Sequence, residues 1–192
     1  MKKNLTPTLR TRTWSSLLFI SLLVSFSSIF LIGRSPAAAS GTPEPQVPRR
    51  PWTAVGSSGA VDEDSINRYA FGSAEITFKP GAAGSVVTAR YNVTNTFDNN
   101  ANPNQPGWHT LEMGSNTPNS TIIEAKLFQI RACDTTPVLL CTARNRSNDH
   151  PCATCTFNGP IDFSTGLYYV EVTLNRFNQP NSQPKMFTLR VF

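Results

Sequence analysis

Apolar and polar residues alternate with a period of two through most of the chain beyond Tyr69. In Val86–Thr94, Val87, Ala89, Tyr91 and Val93 fall on one side, and Thr88, Arg90 and Asn92 on the other. That is the pattern of a half-buried strand. In Leu167–Leu174, Tyr168, Val170, Val172 and Leu174 share a face opposite Glu171 and Thr173. At the C-terminus Phe187, Leu189 and Val191 alternate with Thr188 and Arg190. Further strands are expected at Ala74–Lys79, Trp108–Met113, Thr121–Cys133, Val138–Ala143 and Cys155–Phe157. In the Thr121 strand the inward parity of Ile123, Ala125 and Leu127 switches at Phe128 and Ile130, the mark of a bulge or of burial on both faces.

Turn clusters separate these runs: Pro80-Gly81, Asp98 to Gly107, Gly114 to Pro118, Asp134 to Pro137, Ser164 to Gly166 and Asn178 to Pro184. No stretch keeps a 3.6-residue period over three turns; Asp62–Tyr69 would make one short helix at most. About eight short strands divided by turns predict an all-β fold. The expected architecture is a single antiparallel β-sandwich, Ig-like or jelly-roll-like, over residues 69–192.

The N-terminus reads differently. Lys2, Lys3, Arg10 and Arg12 precede an apolar run from Leu17 to Ile32, and Ala37-Ala38-Ala39 follows. Charged start, apolar middle and small-residue cut are the order of a secretory signal peptide, here residues 1–39. The run is short of the roughly 20 apolar residues of a spanning helix and contains four serines, so cleavage is expected over retention as an anchor. Residues 40–68 begin with a Pro-rich stretch and a Gly/Ser patch, and read as a linker or an arm that orders on contact.

Removing the leader changes the charge. Of 17 Lys and Arg residues, Lys2, Lys3, Arg10, Arg12 and Arg34 lie before the cut, and none of the 12 Asp and Glu does, which leaves 12 cations against 12 anions. A formally neutral mature chain lacks the cationic surplus that nucleic-acid binding needs. No integral membrane segment is expected in the mature chain. Phe192 is an aromatic terminus like that of an outer-membrane barrel, but Arg190, Thr188 and Met186 are too polar for a lipid-facing row. The expected location is secreted, or periplasmic and in the cell envelope.

One cadence is shared with a known family. Glu124-Ala125-Lys126-Leu127-Phe128 is followed by Asp134-Thr135-Thr136 and Val138-Leu139-Leu140. Then come Ile161-Asp162-Phe163-Ser164-Thr165-Gly166-Leu167-Tyr168-Tyr169-Val170-Glu171-Val172 and Met186-Phe187-Thr188-Leu189-Arg190-Val191. This C-terminal third resembles the bacterial pre-peptidase C-terminal β-sandwich domains of secreted proteins. The Gly-x-Tyr entry into a late strand is also shared with the tyrosine corner of Ig-like sandwiches, where the hydroxyl caps backbone. The resemblance implies a non-catalytic accessory or binding domain, and it transfers no active-site residues. The four cysteines and the long Asn/Pro loop depart from the family pattern.

The candidate chemistry is sparse. Cys133, Cys141, Cys152 and Cys155 are an even set in an exported chain, which predicts two disulfides. One pairing closes the 133–141 hairpin and the 152–155 loop; an interlaced pairing ties hairpin to loop. Zinc on Cys141, His150, Cys152 and Cys155 lacks the second Cys pair of a ribbon. A redox role for Cys152 and Cys155 lacks the helix that activates such a thiol. Asp98, Asn100 and Asn102 alternate oxygen side chains as calcium loops do, but Pro103 replaces the turn glycine and His109 the bidentate Glu. No cofactor is expected beyond that weak calcium reading.

Two histidines, no Gly-x-Ser-x-Gly elbow and scattered carboxylates point away from an enzyme. Asn92, Asn119 and Asn145 head glycan-acceptor triplets, about as many as chance supplies at this composition. Trp52, Trp108 and Tyr169 are candidates for an aromatic surface toward sugar or peptide; Tyr169 must face outward if Tyr168 faces inward. The expected function is an exported, non-enzymatic module binding an extracellular glycan, protein or surface. A structural or assembly subunit is the alternative.

Overall fold

The chain from Trp52 to Val191 forms two antiparallel sheets packed face to face. The computed structural model describes residues 50–95, 106–146, 150–177 and 179–192, all within one compact unit, Pro45–Phe192. The expected leader, residues 40–49 and the calcium candidates Asp98, Asn100 and Asn102 lie outside the described residues.

Eleven strands occur among the described residues: β1 (Trp52–Val55), β2 (Ala60–Val61), β3 (Tyr69–Phe71), β4 (Ile76–Phe78), β5 (Val86–Val93), β6 (Thr110–Asn116), β7 (Ile122–Arg131), β8 (Val138–Arg146), β9 (Cys152–Thr156), β10 (Gly166–Asn175) and β11 (Lys185–Val191). The six-stranded sheet has the order β3-β4-β11-β6-β9, with β1 also on β11. The five-stranded sheet has the order β2-β5-β10-β7-β8. The described residues contain no α-helix, only short 3-10 turns at Gly56–Ser58 and Glu63–Ser65.

The eight expected strands correspond to β4 through β11. The count rises to eleven because β1, β2 and β3 are only four, two and three residues long. They are too short to show a period. Residues 52–61, expected to lie in the arm, instead make sandwich strands: β1 pairs with β11 and β2 with β5. The chain crosses from one sheet to the other at Gly56. A Cβ there would sit 2.2 Å from the Met186 carbonyl oxygen, so only glycine fits the crossing.

The core follows the alternation. Val87, Ala89, Tyr91 and Val93 of β5, Ile123, Ala125 and Leu127 of β7, and Tyr168, Val170, Val172 and Leu174 of β10 are buried. Leu111 and Met113 of β6 and Met186, Leu189 and Val191 of β11 meet them from the other sheet. The irregularity at Phe128 is a register shift: Leu127 opposes Cys141 and Phe128 opposes Leu139, so Leu140 of β8 is the extra residue.

Two polar devices close the loops. Tyr168 Oη accepts hydrogen bonds from the Asp162 N–H (2.8 Å) and Gln129 Nε2 (2.9 Å), and lies 3.3 Å from the Asp162 carbonyl. The hydroxyl thus caps the backbone of the loop before β10, as a tyrosine corner does. Arg176, just past β10, is fully buried. Its Nε donates to the Gly84 carbonyl and Nη1 to that of Pro180, both at 2.9 Å, and Nη2 donates to Ala82. The guanidinium lies 4.2 Å from the Phe78 ring centre.

Candidate binding face

The outer face of the five-stranded sheet is built by the residues that alternate with the core. Its rows can be read from the register. Leu167 pairs with Ile130. The next row is Asn92–Tyr169–Phe128–Leu139, then Arg90–Glu171–Lys126–Thr142, then Thr88–Thr173–Glu124–Arg144.

The first two rows form an apolar end. Leu167 is 69% exposed and Leu139 49%. The rings of Phe128 and Tyr169 stack across the strands, with centroids 5.1 Å apart and planes 17° apart. Burial and the Glu171 carboxylate raise the Tyr169 hydroxyl above its usual pKa, and Arg90 opposes the rise. A phenol is already protonated at neutral pH, and the shift keeps it so.

The lower rows alternate in charge. Arg90 pairs with Glu171 at 2.9 Å. Glu124 reaches Arg144 at 2.9 Å and Lys126 at 3.6 Å. Exposed pairs of this kind add little stability.

Tyr169 faces outward, as expected from Tyr168. The other two aromatic candidates do not. Trp52 is buried at the start of β1 and Trp108 is buried before β6, edge-on to Phe163 at 6.1 Å. Both rings are buried, so neither stands on an open aromatic surface. The face instead uses Phe128, Leu167, Leu139 and Lys126, which the sequence reading did not single out as site residues. The parity of Phe128 and Leu167 relative to Leu127 and Tyr168 was the available signal.

The cysteines form one bridge. Cys141 of β8 is bonded to Cys155 of β9, with Cα atoms 5.9 Å apart, whereas Cys133 and Cys152 are exposed and free. The expected second bridge is not made. The 133–141 closure fails because Cys141 lies opposite Leu127, about 13 Å of strand short of Arg131, far beyond disulfide reach. The 152–155 closure fails because the two residues point to opposite faces of one strand. With Cys141 and Cys155 joined, the zinc set loses two ligands, and Cys152–Cys155 is no redox pair. No group of three or more His, Cys, Asp or Glu gathers into a metal site among the described residues.

Of the acceptor triplets, Asn145 is buried and its Nδ2 donates to Ser115 Oγ and the His150 carbonyl. A groove of about 680 Å³ lies where β1 and β2 part, lined by Trp52, Ala54, Arg90, Tyr91, Leu189 and Arg190. Its two arginines are held by Glu171 and Glu112. No helix among the described residues is long and apolar enough to cross a membrane.

No family model matches this chain, and no curated protein matches it. Among solved structures, it is similar to an exo-beta-1,3-galactanase from Phanerochaete chrysosporium crystallised with galactose. The identity is 12%, the likeness covers 74% of this chain and 29% of that one, and the TM-score is 0.35. The chain thus spans less than a third of that enzyme's length.

Proposed function

We propose that this chain is an exported, non-enzymatic β-sandwich module that acts by surface contact outside the cytoplasm. The outer face of the five-stranded sheet is its binding surface. The observation that carries this reading is the clustering of exposed Leu167 and Leu139 beside the Phe128–Tyr169 stack. Single exposed apolar residues are ordinary, but a contiguous set rimmed by charges marks a contact surface. The Cys141–Cys155 bond supports an oxidising location.

Site-directed photocrosslinking in the native host tests this. A benzophenone side chain placed at Leu167 is expected to give a discrete crosslinked product. The same group at Thr188, on the outside of the other sheet, should give none. Equal labelling from both positions, or none from Leu167, would falsify the assignment of the face.

A further inference from the structure

We infer that the partner of this face is a second copy of the same chain, docked about a two-fold axis that runs between β7 and β10. The inference rests on the binding-face reading and names its occupant.

The argument starts from the register. Along the β7–β10 seam, Leu167 stands beside Ile130, Tyr169 beside Phe128 and Glu171 beside Lys126. A two-fold parallel to the strands keeps each row opposite itself and exchanges the two columns. Leu167 then meets Ile130 of the second copy, Tyr169 meets Phe128, and Glu171 meets Lys126. Each contact occurs twice, as an isologous interface requires. The pairing is apolar on apolar, ring on ring, and anion on cation.

The flanking columns also fit. Exchange of β5 with β8 places Arg90 opposite Thr142, Arg144 opposite Thr88, and Asn92 opposite Leu139. Glu124 falls opposite Thr173. No cation meets a cation and no carboxylate meets a carboxylate. A face with one sign of charge would repel its own copy; this one alternates so that its copy is its complement.

The size is sufficient. Four strands at about 4.8 Å spacing, and nine rises of about 3.3 Å along β10, give a face of about 19 by 30 Å. Two such faces bury about 1,100 Å² in all, just above the roughly 1,000 Å² of a specific interface. Sheets stack in this way about 10 Å apart.

The charge pair gives a direct test by sedimentation equilibrium. Cys133 and Cys152 are first changed to Ser, so that thiol coupling cannot contribute. The parent is expected to dimerise. Glu171→Lys alone sets the introduced ammonium against Lys126 of its copy, twice. Lys126→Glu alone sets two carboxylates together, twice. Each single variant should bind itself roughly a hundredfold more weakly. An equimolar mixture of the two should recover a dimer: between unlike chains the ammonium introduced at position 171 meets the carboxylate introduced at position 126, and the unchanged Lys126 of one chain meets the unchanged Glu171 of the other, so both contacts pair cation with anion. Recovery on mixing separates contacts between chains from the Arg90–Glu171 pair within one chain.

Leu167→Asp, at an exposed position that the fold does not need, should also dissociate the dimer. A parent that stays monomeric up to the solubility limit, or single variants that dimerise unchanged, would overturn the inference. A monomer that still crosslinks from Leu167 to a different protein overturns the second-copy occupant and keeps the face. A monomer with no crosslink overturns both.

Discussion

Cys141 and Cys155 join the outermost strands of opposite sheets. Among the described residues β8 has only β7 beside it in its own sheet and β9 has only β6, so the bond staples a flank where each sheet ends in an edge strand. The linked residues are 14 apart in sequence. Cross-linking a loop of about 15 residues stabilises a domain by about 3 kcal/mol, chiefly by restricting the unfolded chain. The Cys141→Ser, Cys155→Ser double variant should therefore lose about 3 kcal/mol in urea unfolding. The intact protein should titrate two thiols, and its mass should fall two protons below the fully reduced value. Four thiols, or none, in the freshly purified folded protein would contradict the single bridge.

Tyr168→Phe should cost about 1 to 2 kcal/mol. The ring remains to pack against Phe163, with centroids 5.3 Å apart, so the core volume is kept. What is lost is the oxygen that accepts from the Asp162 N–H and Gln129 Nε2. A half-buried donor left without its acceptor costs about 1 to 3 kcal/mol. Hydrogen exchange at the Asp162 amide is the specific readout. It should speed up in the variant even at temperatures where the fold is intact, and unchanged exchange would remove the capping role.

The long strands were legible because each buries one side. β5, β10 and β11 show it in Val87–Val93, Tyr168–Leu174 and Leu189–Val191, where the inward residues recur at every second position. β1 was not legible. It has four residues, two of which face outward, and it follows a Pro-rich stretch that reads as irregular. Trp52 looked like a surface ring because the strand it pairs with, β11, lies more than 130 residues away. The cysteine pairing was hidden for a similar reason. It depends on which strands become neighbouring edges, and no local spacing records that. Tyr169 was legible from parity alone, and its companions follow once β7 is placed beside β10.

Arg176 is the second clamp on the loops. Its buried guanidinium donates to three backbone carbonyls at once, a geometry that only the arginine fork can satisfy. Arg176→Ala would leave the Ala82, Gly84 and Pro180 carbonyls without that donor and open a cavity over Phe78. The expected loss is about 3 to 5 kcal/mol. Arg176→Lys keeps the charge but cannot span three acceptors, so it should recover less than half of that. Chemical denaturation of both variants checks the order. A Lys variant as stable as the parent would show that charge alone, without the fork geometry, holds the loops.

Tyr91 predicts how the fold fails in alkali. Its hydroxyl donates to the Gly56 carbonyl at 2.7 Å, at the crossing between the sheets. Burial raises its pKa far above the ordinary tyrosine value of about 10. The folded chain therefore keeps a proton that the unfolded chain releases. Stability from this group is full below about pH 10 and is lost as pH climbs past that value, by up to about 1.4 kcal/mol per pH unit. Tyr169 is raised as well, chiefly by burial and then by Glu171, so it adds to the decline in the same direction. Tyr91→Phe should lower stability at about pH 8, because Gly56 loses its donor, and should flatten the fall between about pH 10 and 12. Urea midpoints for both proteins across that range give the comparison. Parallel curves would mean that Tyr91 ionises as readily in the fold as outside it, and the hydroxyl would then have no part in holding the crossing shut.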